Sequence, residues 1–354
     1  MADWLSAMEQ TYEYYIVDPG TWRDVKLLDN VKKCTINRDS ETDTLGSATI
    51  DVADSVGECY IRAYLVTIQN GVKEKHPLGT FLVQTPSSTH NGKTREVSMD
   101  AYTPLLELKE NPPPIGYFIP KGENIMHMAY LLTRENVRAP VIEAYSSKTF
   151  TGNFAADPEG DTWLSYVRDM LLDAKYTFGL DELGRVLFLP KQDTASLQPV
   201  WTYSDDDNSI LYLDMTMKHD LFNVPNAVEV SYSTGGKSFY AKVVNNDPNS
   251  PISTINRGRE ICYRDTNPAV GESVPTQMQI EEYAKQLLRD LSIMEYTITY
   301  THGYCPVRVG DCVRINYSRA GIHNIKAKVI SQSIKCESGC PVTEKAVFTE
   351  RLWG

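Results

Sequence analysis

Four cysteines stand near the C-terminus, Cys305, Cys312, Cys336 and Cys340, with His302 beside them. Thiolate and imidazole are zinc ligands, so this cluster invites a metal hypothesis. Structural zinc sites favour tight pairs with about two to four residues between the ligands. Cys305 and Cys312 have six between them and flank an expected strand start. Cys336 and Cys340 are closer, and the Glu-Ser-Gly between them reads as a hairpin loop with Gly339 at the left-handed position. Facing positions across such a loop suit a disulfide. Three fates therefore stay open for these thiols: free, as is the rule in a cytosolic chain, bridged from Cys336 to Cys340, or bound to zinc.

The remaining reactive residues form no local motif. His76, His90, His127, His219, His302 and His323 are scattered, and the chain contains no HExxH, no G-x-S-x-G and no P-loop. Cys305 or Cys262 could meet a distant histidine only through the fold, as a nucleophile and its base. Paired carboxylates for glycoside cleavage are defined by geometry and not by spacing, so the sequence leaves them open. The run Asp205, Asp206, Asp207, Asn208 offers oxygen ligands but lacks the alternating spacing of a calcium loop, and reads as a solvated acidic turn. The 21 Tyr and 5 Trp residues would suit stacking on sugars, and equally strand cores and protein interfaces. No catalytic, cofactor-binding or metal residue is assigned on these grounds, and no cofactor is implied.

The scaffold around these residues is a long, mainly polar-alternating chain. Its 354 residues and 42% hydrophobic content suit two or three domains. A net charge of −11 without any Lys or Arg block argues against a specific nucleic-acid ligand. No window approaches the roughly eighteen consecutive apolar residues of a membrane span. The opening MADWLSAMEQTYEYYIVDPG lacks the basic and apolar regions of a secretory signal, which points to synthesis and assembly in the cytoplasm.

From Val31 to Tyr102, VKKCTINRDSETDTLGSATIDV, ECYIRAYLVTIQNGV, LGTFLVQTPSST and KTREVSMDAY alternate apolar and polar residues between turn signals at Asn70-Gly71 and Asn91-Gly92. That is an antiparallel barrel or sandwich, and the prolines Pro112 to Pro114 end it. Next come helix patterns near residues 124–133 and 162–174, the latter with Trp163, Leu164, Val167, Met170 and Leu171 on one face, and a hairpin over 175–190. Strand signals return at Ile210–Met217 and Ala227–Tyr232, and a further helix with a Thr276/Gln279 capping box spans 276–292. The expected organisation is an N-terminal β-barrel domain at 1–111 and an α+β middle domain at 112–203. A second β-barrel domain follows at 204–244 and 293–354, with an insertion at 245–292.

A short phrase occurs twice. VGECYIRAY at 56–64 and VGDCVRINY at 309–317 share Val, Gly, Cys and Tyr at matching offsets. Downstream, GTFLVQTPSST is echoed by AKVISQSIK and TREVSMD by EKAVFTE, in the same order. Repetition of this kind builds the same supersecondary unit twice. It predicts that Gly57 and Gly310 open equivalent strands with positive φ, that the following acid caps the turn, and that Tyr64 and Tyr317 close those strands.

Three stretches, DTWLSYVRDMLLDAKYTFGLDELGRVLFLP, MKHDLFNVPNAVEVSYS and HGYCPVRVGDCVRINYSRAGIHNIKAKVISQSI, resemble the hub proteins of bacteriophage tails and related contractile injection systems. With the N-terminal strands, the resemblance covers nearly the whole chain. It implies a mainly β fold of two related antiparallel β-barrel domains plus smaller α/β domains. It also implies a non-enzymatic virion protein of the tail tip or baseplate, assembled in the host bacterial cytoplasm. The partners it implies are a homotrimer, the six-fold tail tube protein, the three-fold central spike protein, other baseplate or tail-tip proteins and the tape measure protein. The acidic balance would suit a lumen through which DNA slides, or serve solubility alone. The resemblance implies that two similar barrels in each of three subunits form a six-fold-like ring, and the middle segment is expected outside it. The alternative is a cell-wall-degrading or carbohydrate-binding tail-tip protein.

Overall fold

Alternating apolar and polar residues in the first hundred positions build seven strands: β1 (Glu9–Asp18), β2 (Arg23–Leu27), β3 (Val31–Asp39), β4 (Gly46–Val52), β5 (Tyr60–Gln69), β6 (Val72–His90) and β7 (Arg95–Tyr102). The computed structural model describes residues 2–354 except 55, 91, 93–94, 193–195, 208, 223, 235 and 269–274, so Asn91 of one expected turn and Asn208 of the acidic run lie outside the described residues. Asn70 and Gly71, with φ of 52° and 77°, make the turn between β5 and β6, whose pairing is antiparallel. This double positive φ is what Asn-Gly supplies at a tight hairpin.

The middle segment holds α1 (Leu106–Glu110), β8 (Phe118–Ile119), α2 (Ile125–Asn136), β9 (Phe154–Ala155), α3 (Trp163–Ala174), β10 (Tyr176–Leu180) and β11 (Val186–Pro190). The Thr162 hydroxyl accepts from the Ser165 amide and the Ser165 hydroxyl from the Thr162 amide, a reciprocal cap that starts α3. Trp163, Leu164, Val167, Met170 and Leu171 are buried together with Tyr166 and pack on Met126 and Leu132 of α2 and on Phe178 and Phe188 of the β10–β11 hairpin. The segment is docked on the N-terminal strands. Arg168 Nη1 donates to Asp43 Oδ1 at 3.0 Å, and the Leu183 carbonyl accepts from Trp22 Nε1 at 2.8 Å and Arg62 Nη2 at 3.1 Å. At Gly184, with φ +74°, an added Cβ would fall 2.7 Å from Thr80 Cβ, so the hairpin tip approaches β6 more closely than any side chain allows.

The remaining elements are β12 (Trp201–Ser204), β13 (Leu211–His219), β14 (Ala227–Thr234), β15 (Lys237–Val244), α4 (Thr254–Arg257), β16 (Cys262–Thr266), α5 (Gln277–Leu291), β17 (Ile293–Gly303), β18 (Cys312–Tyr317), β19 (Ile322–Lys335) and β20 (Pro341–Arg351). One 13-stranded sheet runs in the order β13-β17-β20-β19-β3-β4-β7-β6-β5-β1-β2, with β18 on β19 and β12 on β18. The two expected barrels are joined into one continuous hydrogen-bonded sheet where β19 pairs antiparallel with β3 from Ser331↔Asp39 to Lys335↔Thr35. They also share a core: Ile334, Val342 and Tyr304 pack with Ile36, Ile50, Leu65 and Met99. Fully burying such an aliphatic side chain contributes roughly 1.5–3 kcal/mol, so the join is held by apolar burial as well as by backbone bonds.

Duplication is visible in the strand order. Neighbours β3-β4-β7-β6-β5 in one half correspond to β13-β17-β20-β19-β18 in the other. Each echoed sequence pair falls on corresponding strands, β6 with β19 and β7 with β20. The correspondence stops outside these five, since β1 lies antiparallel to β5 whereas β12 lies parallel to β18. Where residues 40–45 link β3 to β4, residues 220–292 link β13 to β17. A strand-connecting loop of this kind is where insertions are tolerated.

The chain divides into two compact units, residues 1–215 with 299–346, and residues 216–298 with 347–354. In the second unit β14 and β15, expected in the second barrel, instead form a separate sheet in the order β15-β14-β16. The reason is the apolar stripe of α5: Ile280, Ala284 and Leu288 cover Val228, Val230 and Ala241, giving these strands a core of their own. Thr276 and Gln279 form the reciprocal cap of α5.

Details of the repeat differ from the sequence reading. Gly310 has φ +97°, but Gly57 is not in the left-handed region, so only one copy requires glycine. Asp311 Oδ2 accepts from the Arg308 amide at 2.8 Å, whereas Glu58 lies 3.8 Å from Arg138 Nη2. Tyr317 ends β18, but Tyr64 is mid-strand because β5 runs on to Gln69.

Candidate functional site

The cysteine–histidine chemistry raised by the sequence has one partial realisation. Strand alternation in β17 turns Tyr300 and His302 inward, β20 contributes Glu344, β19 Gln332 and β12 Tyr203, with Cys305 just after β17. His302 Nε2 lies 3.3 Å from Glu344 Oε1, and Glu344 Oε2 accepts from Tyr300 at 2.7 Å and Tyr203 at 3.2 Å. Gln332 Nε2 donates to Glu344 Oε1 at 2.6 Å, and Arg38 Nη1 in turn donates to Gln332 Oε1 at 3.1 Å. Cys305 Sγ is 3.9 Å from His302 Nδ1. The cysteine's partner is thus three residues away and not distant.

Thiol, imidazole and carboxylate in sequence would be a nucleophilic triad if the imidazole could take a proton. Here it is already charged. Burial alone would lower the His302 pKa, but its hydrogen bonds to Cys305 and Glu344 and the carboxylate's charge outweigh this and push it up to about 10. Burial likewise works to raise Glu344, and hydrogen bonds and charge from His302, with bonds from Gln332 and Tyr300, hold it below the usual carboxylate range. Nδ1 is spent on the Gly303 carbonyl at 2.6 Å. His302 and Glu344 are 0% exposed, and Cys305 is 2% exposed. An imidazolium sealed from solvent is no general base. The cluster is a satisfied ion pair that fixes four strands in register, the kind of buried polar network that specifies an arrangement more than it stabilises one.

Other sequence candidates resolve similarly. Cys262 approaches Glu229 and Glu260 with ligand atoms within 4.8 Å of one another. Protein cations hold those carboxylates already: Lys242 Nζ at 3.2 Å from Glu229 and 2.6 Å from Glu260, and Arg264 Nε at 2.9 Å from Glu229. Burial and the Glu229 charge push the Cys262 thiol up. Asp205 Oδ2 ties its loop by accepting from Ser318 Oγ at 2.7 Å and the Arg319 amide at 3.2 Å. All seven cysteines are free. Gly339 has φ +81°, as the hairpin reading requires, yet Cys336 sits opposite Cys34, whose carbonyl accepts from the Cys336 amide at 3.0 Å.

Two of the sheet's three terminal strands, β13 and β2, are the more telling surface, the third being β12. β13 exposes Leu213 (71%) together with Tyr212 and Met217, and β2 exposes Val25 (62%) and Leu27. Apolar terminal strands template pairing with another chain unless something covers them. Among the described residues no helix is long and apolar enough to cross a membrane.

No protein-family model and no curated protein matches the sequence. Solved structures do. A tail protein from Neisseria meningitidis aligns over 96% of this chain and 97% of its own, with a TM-score of 0.61 and 14% identity. The 43 kDa tail protein of prophage MuSo2 from Shewanella oneidensis aligns over 96% and 98%, with a TM-score of 0.62 and 11% identity. The chain has the fold of these tail proteins. A type VI secretion component of Escherichia coli, described as similar to the phage T4 tail proteins gp27 and gp5, aligns over 94% of this chain and 76% of its own, with a TM-score of 0.50 and 8% identity.

Sequence reasoning missed the His302–Glu344 pair and the Cys34–Cys336 contact. The first had a readable signal, because Ile298, Tyr300 and His302 alternate on one strand and Val342, Glu344 and Ala346 on another. The second depends on which strands meet, and no local pattern carries that.

Proposed function

We propose that the chain is a structural protein of a phage tail tip or baseplate. In this reading it is a homotrimeric hub that joins the six-fold tail tube to the three-fold central spike. The observation that carries the reading is the duplicated strand order β3-β4-β7-β6-β5 and β13-β17-β20-β19-β18 within a tail-protein fold. Two equivalent strand groups per chain and three chains per ring give six similar faces from a three-fold assembly. The apolar strands β2 and β13 are assigned to contacts between neighbouring copies, and the middle segment packs outside the ring. Tube, spike, other baseplate or tail-tip proteins and the tape measure protein are its partners, and assembly takes place in the host cytoplasm. A structural and not an enzymatic role is supported by the likeness to tail proteins and by the burial of Cys305, His302 and Glu344, which closes them to a substrate.

Obligate interfaces bury on the order of 2,000–5,000 Å². Light scattering at micromolar concentration should therefore give three times the 39.9 kDa chain mass. A stable monomer would remove the hub reading. Clearing of purified peptidoglycan in a zymogram would favour the wall-degrading alternative.

A further inference from the structure

Cys34 and Cys336 are directly opposed across the join between the two strand groups. The β19–β3 register runs Ile334↔Ile36 and Lys335↔Thr35, and the next step brings Cys336 to Cys34 with a 3.0 Å backbone bond. Opposed residues in a hydrogen-bonded antiparallel pair have Cα atoms about 5.5 Å apart and side chains on the same face, a separation that suits a disulfide. Tyr14 and Cys34 share one apolar cluster, and Cys336 packs against it. Cys34 is buried, but Cys336 is half-buried and lines a groove of about 620 Å³ together with Trp4, Tyr12, Tyr304 and Gly339. Cys340, across the hairpin loop, is fully buried.

We propose that Cys34 and Cys336 form an oxidisable dithiol, a modification site at which a low-molecular-weight disulfide installs a cross-link locking β19 to β3. The Cys336 sulfur attacks the reagent disulfide, forming a mixed disulfide and releasing one thiol. The Cys34 sulfur then displaces the second thiol. Two S–H bonds are lost and one S–S bond forms, while the reagent takes up two electrons and two protons as two thiols. The link closes a loop covering most of the chain, the situation in which a cross-link constrains the unfolded state most. The proposal does not depend on the hub reading.

The neighbouring Cys34 thiol and burial push the Cys336 thiol well above its usual range, so the exchange is slow at neutral pH and speeds up as the pH rises. Full-length protein incubated with oxidised glutathione, alkylated, digested and examined by non-reducing mass spectrometry should yield one cross-linked pair, Cys34 with Cys336. Tm should rise by at least ~5 °C over the reduced protein. Cys336→Ser should abolish both effects and Cys340→Ser should retain both. A glutathione adduct on Cys336 without a cross-link, unmodified thiols, a Cys336–Cys340 cross-link, or loss of the cross-link in Cys340→Ser would each overturn the proposal. If Cys336→Ser does not fold, the wild-type and Cys340→Ser digests decide alone.

Discussion

Glu344→Gln tests whether the buried ion pair is what orders the C-terminal strands. The substitution keeps the volume and a carbonyl oxygen for Tyr300 and Tyr203, but removes the charge that holds the proton on His302. Raising an imidazole from 6.5 to about 10 corresponds to a net ~5 kcal/mol at ~1.4 kcal/mol per pH unit, what is left after the cost of burial. Removing one partner of a buried pair typically costs about 3–5 kcal/mol, the same order of magnitude. The expected loss is therefore about 3–5 kcal/mol near pH 6, seen as a fall of roughly 10 °C in Tm. The pH dependence has a definite sign. His302 has a raised pKa, so its contribution is complete below 6.5 and is lost as pH climbs through about 10. Glu344 has a lowered pKa, so its contribution is present above 4.5 and is lost as pH falls through its depressed value. The gap between wild type and Glu344→Gln should be widest between pH 4.5 and 6.5 and should narrow towards pH 10. Thermal and guanidinium unfolding across this range measure it. A loss under ~1 kcal/mol, or a gap that stays flat to pH 10, would refute the charged-pair account.

Trp163→Ala should cost about 3–5 kcal/mol in chemical denaturation, because the ring is 8% exposed and packs edge-on against Tyr117 and Tyr166; unchanged stability would place it on the surface. Gly310→Ala should cost about 1–2 kcal/mol for its φ of +97° alone, since a Cβ there meets nothing within 4 Å. Gly57→Ala, in the other copy, should change stability by less than ~0.5 kcal/mol, and equal costs at the two sites would contradict the difference described between the turns. Leu213→Lys should leave the unfolding midpoint of the isolated chain within ~0.5 kcal/mol but reduce the assembled fraction in light scattering; intact assembly would remove β13 from the contact.

Features set by local chemistry were readable from the residues. The cap at Thr276, the stripe of α3, the Asn70-Gly71 turn and the left-handed Gly339 follow from short-range rules and stand where those rules put them. The repeat was legible because both copies carry the same phrase at the strand that starts the meander. The union of the two strand groups was not legible, since β19 reaches β3 across most of the chain and neither strand encodes its partner. Placement of β14 and β15 failed for a related reason: alternation marks them as strands, while the covering helix that gives them their own core lies some fifty residues downstream. At the candidate site, Cys305 and His302 were flagged by residue type. Glu344, which settles the chemistry by holding the imidazole proton, was hidden in a strand where alternation would normally place an apolar residue.

The central claim is that a duplicated strand group lets a three-fold assembly present six similar faces. Electron micrographs of the purified protein, class-averaged without imposed symmetry, test this most directly. The account predicts a ring of three chains with six similar densities around a central opening. Single chains with no ring, in a preparation that unfolds cooperatively and is therefore folded, would contradict it.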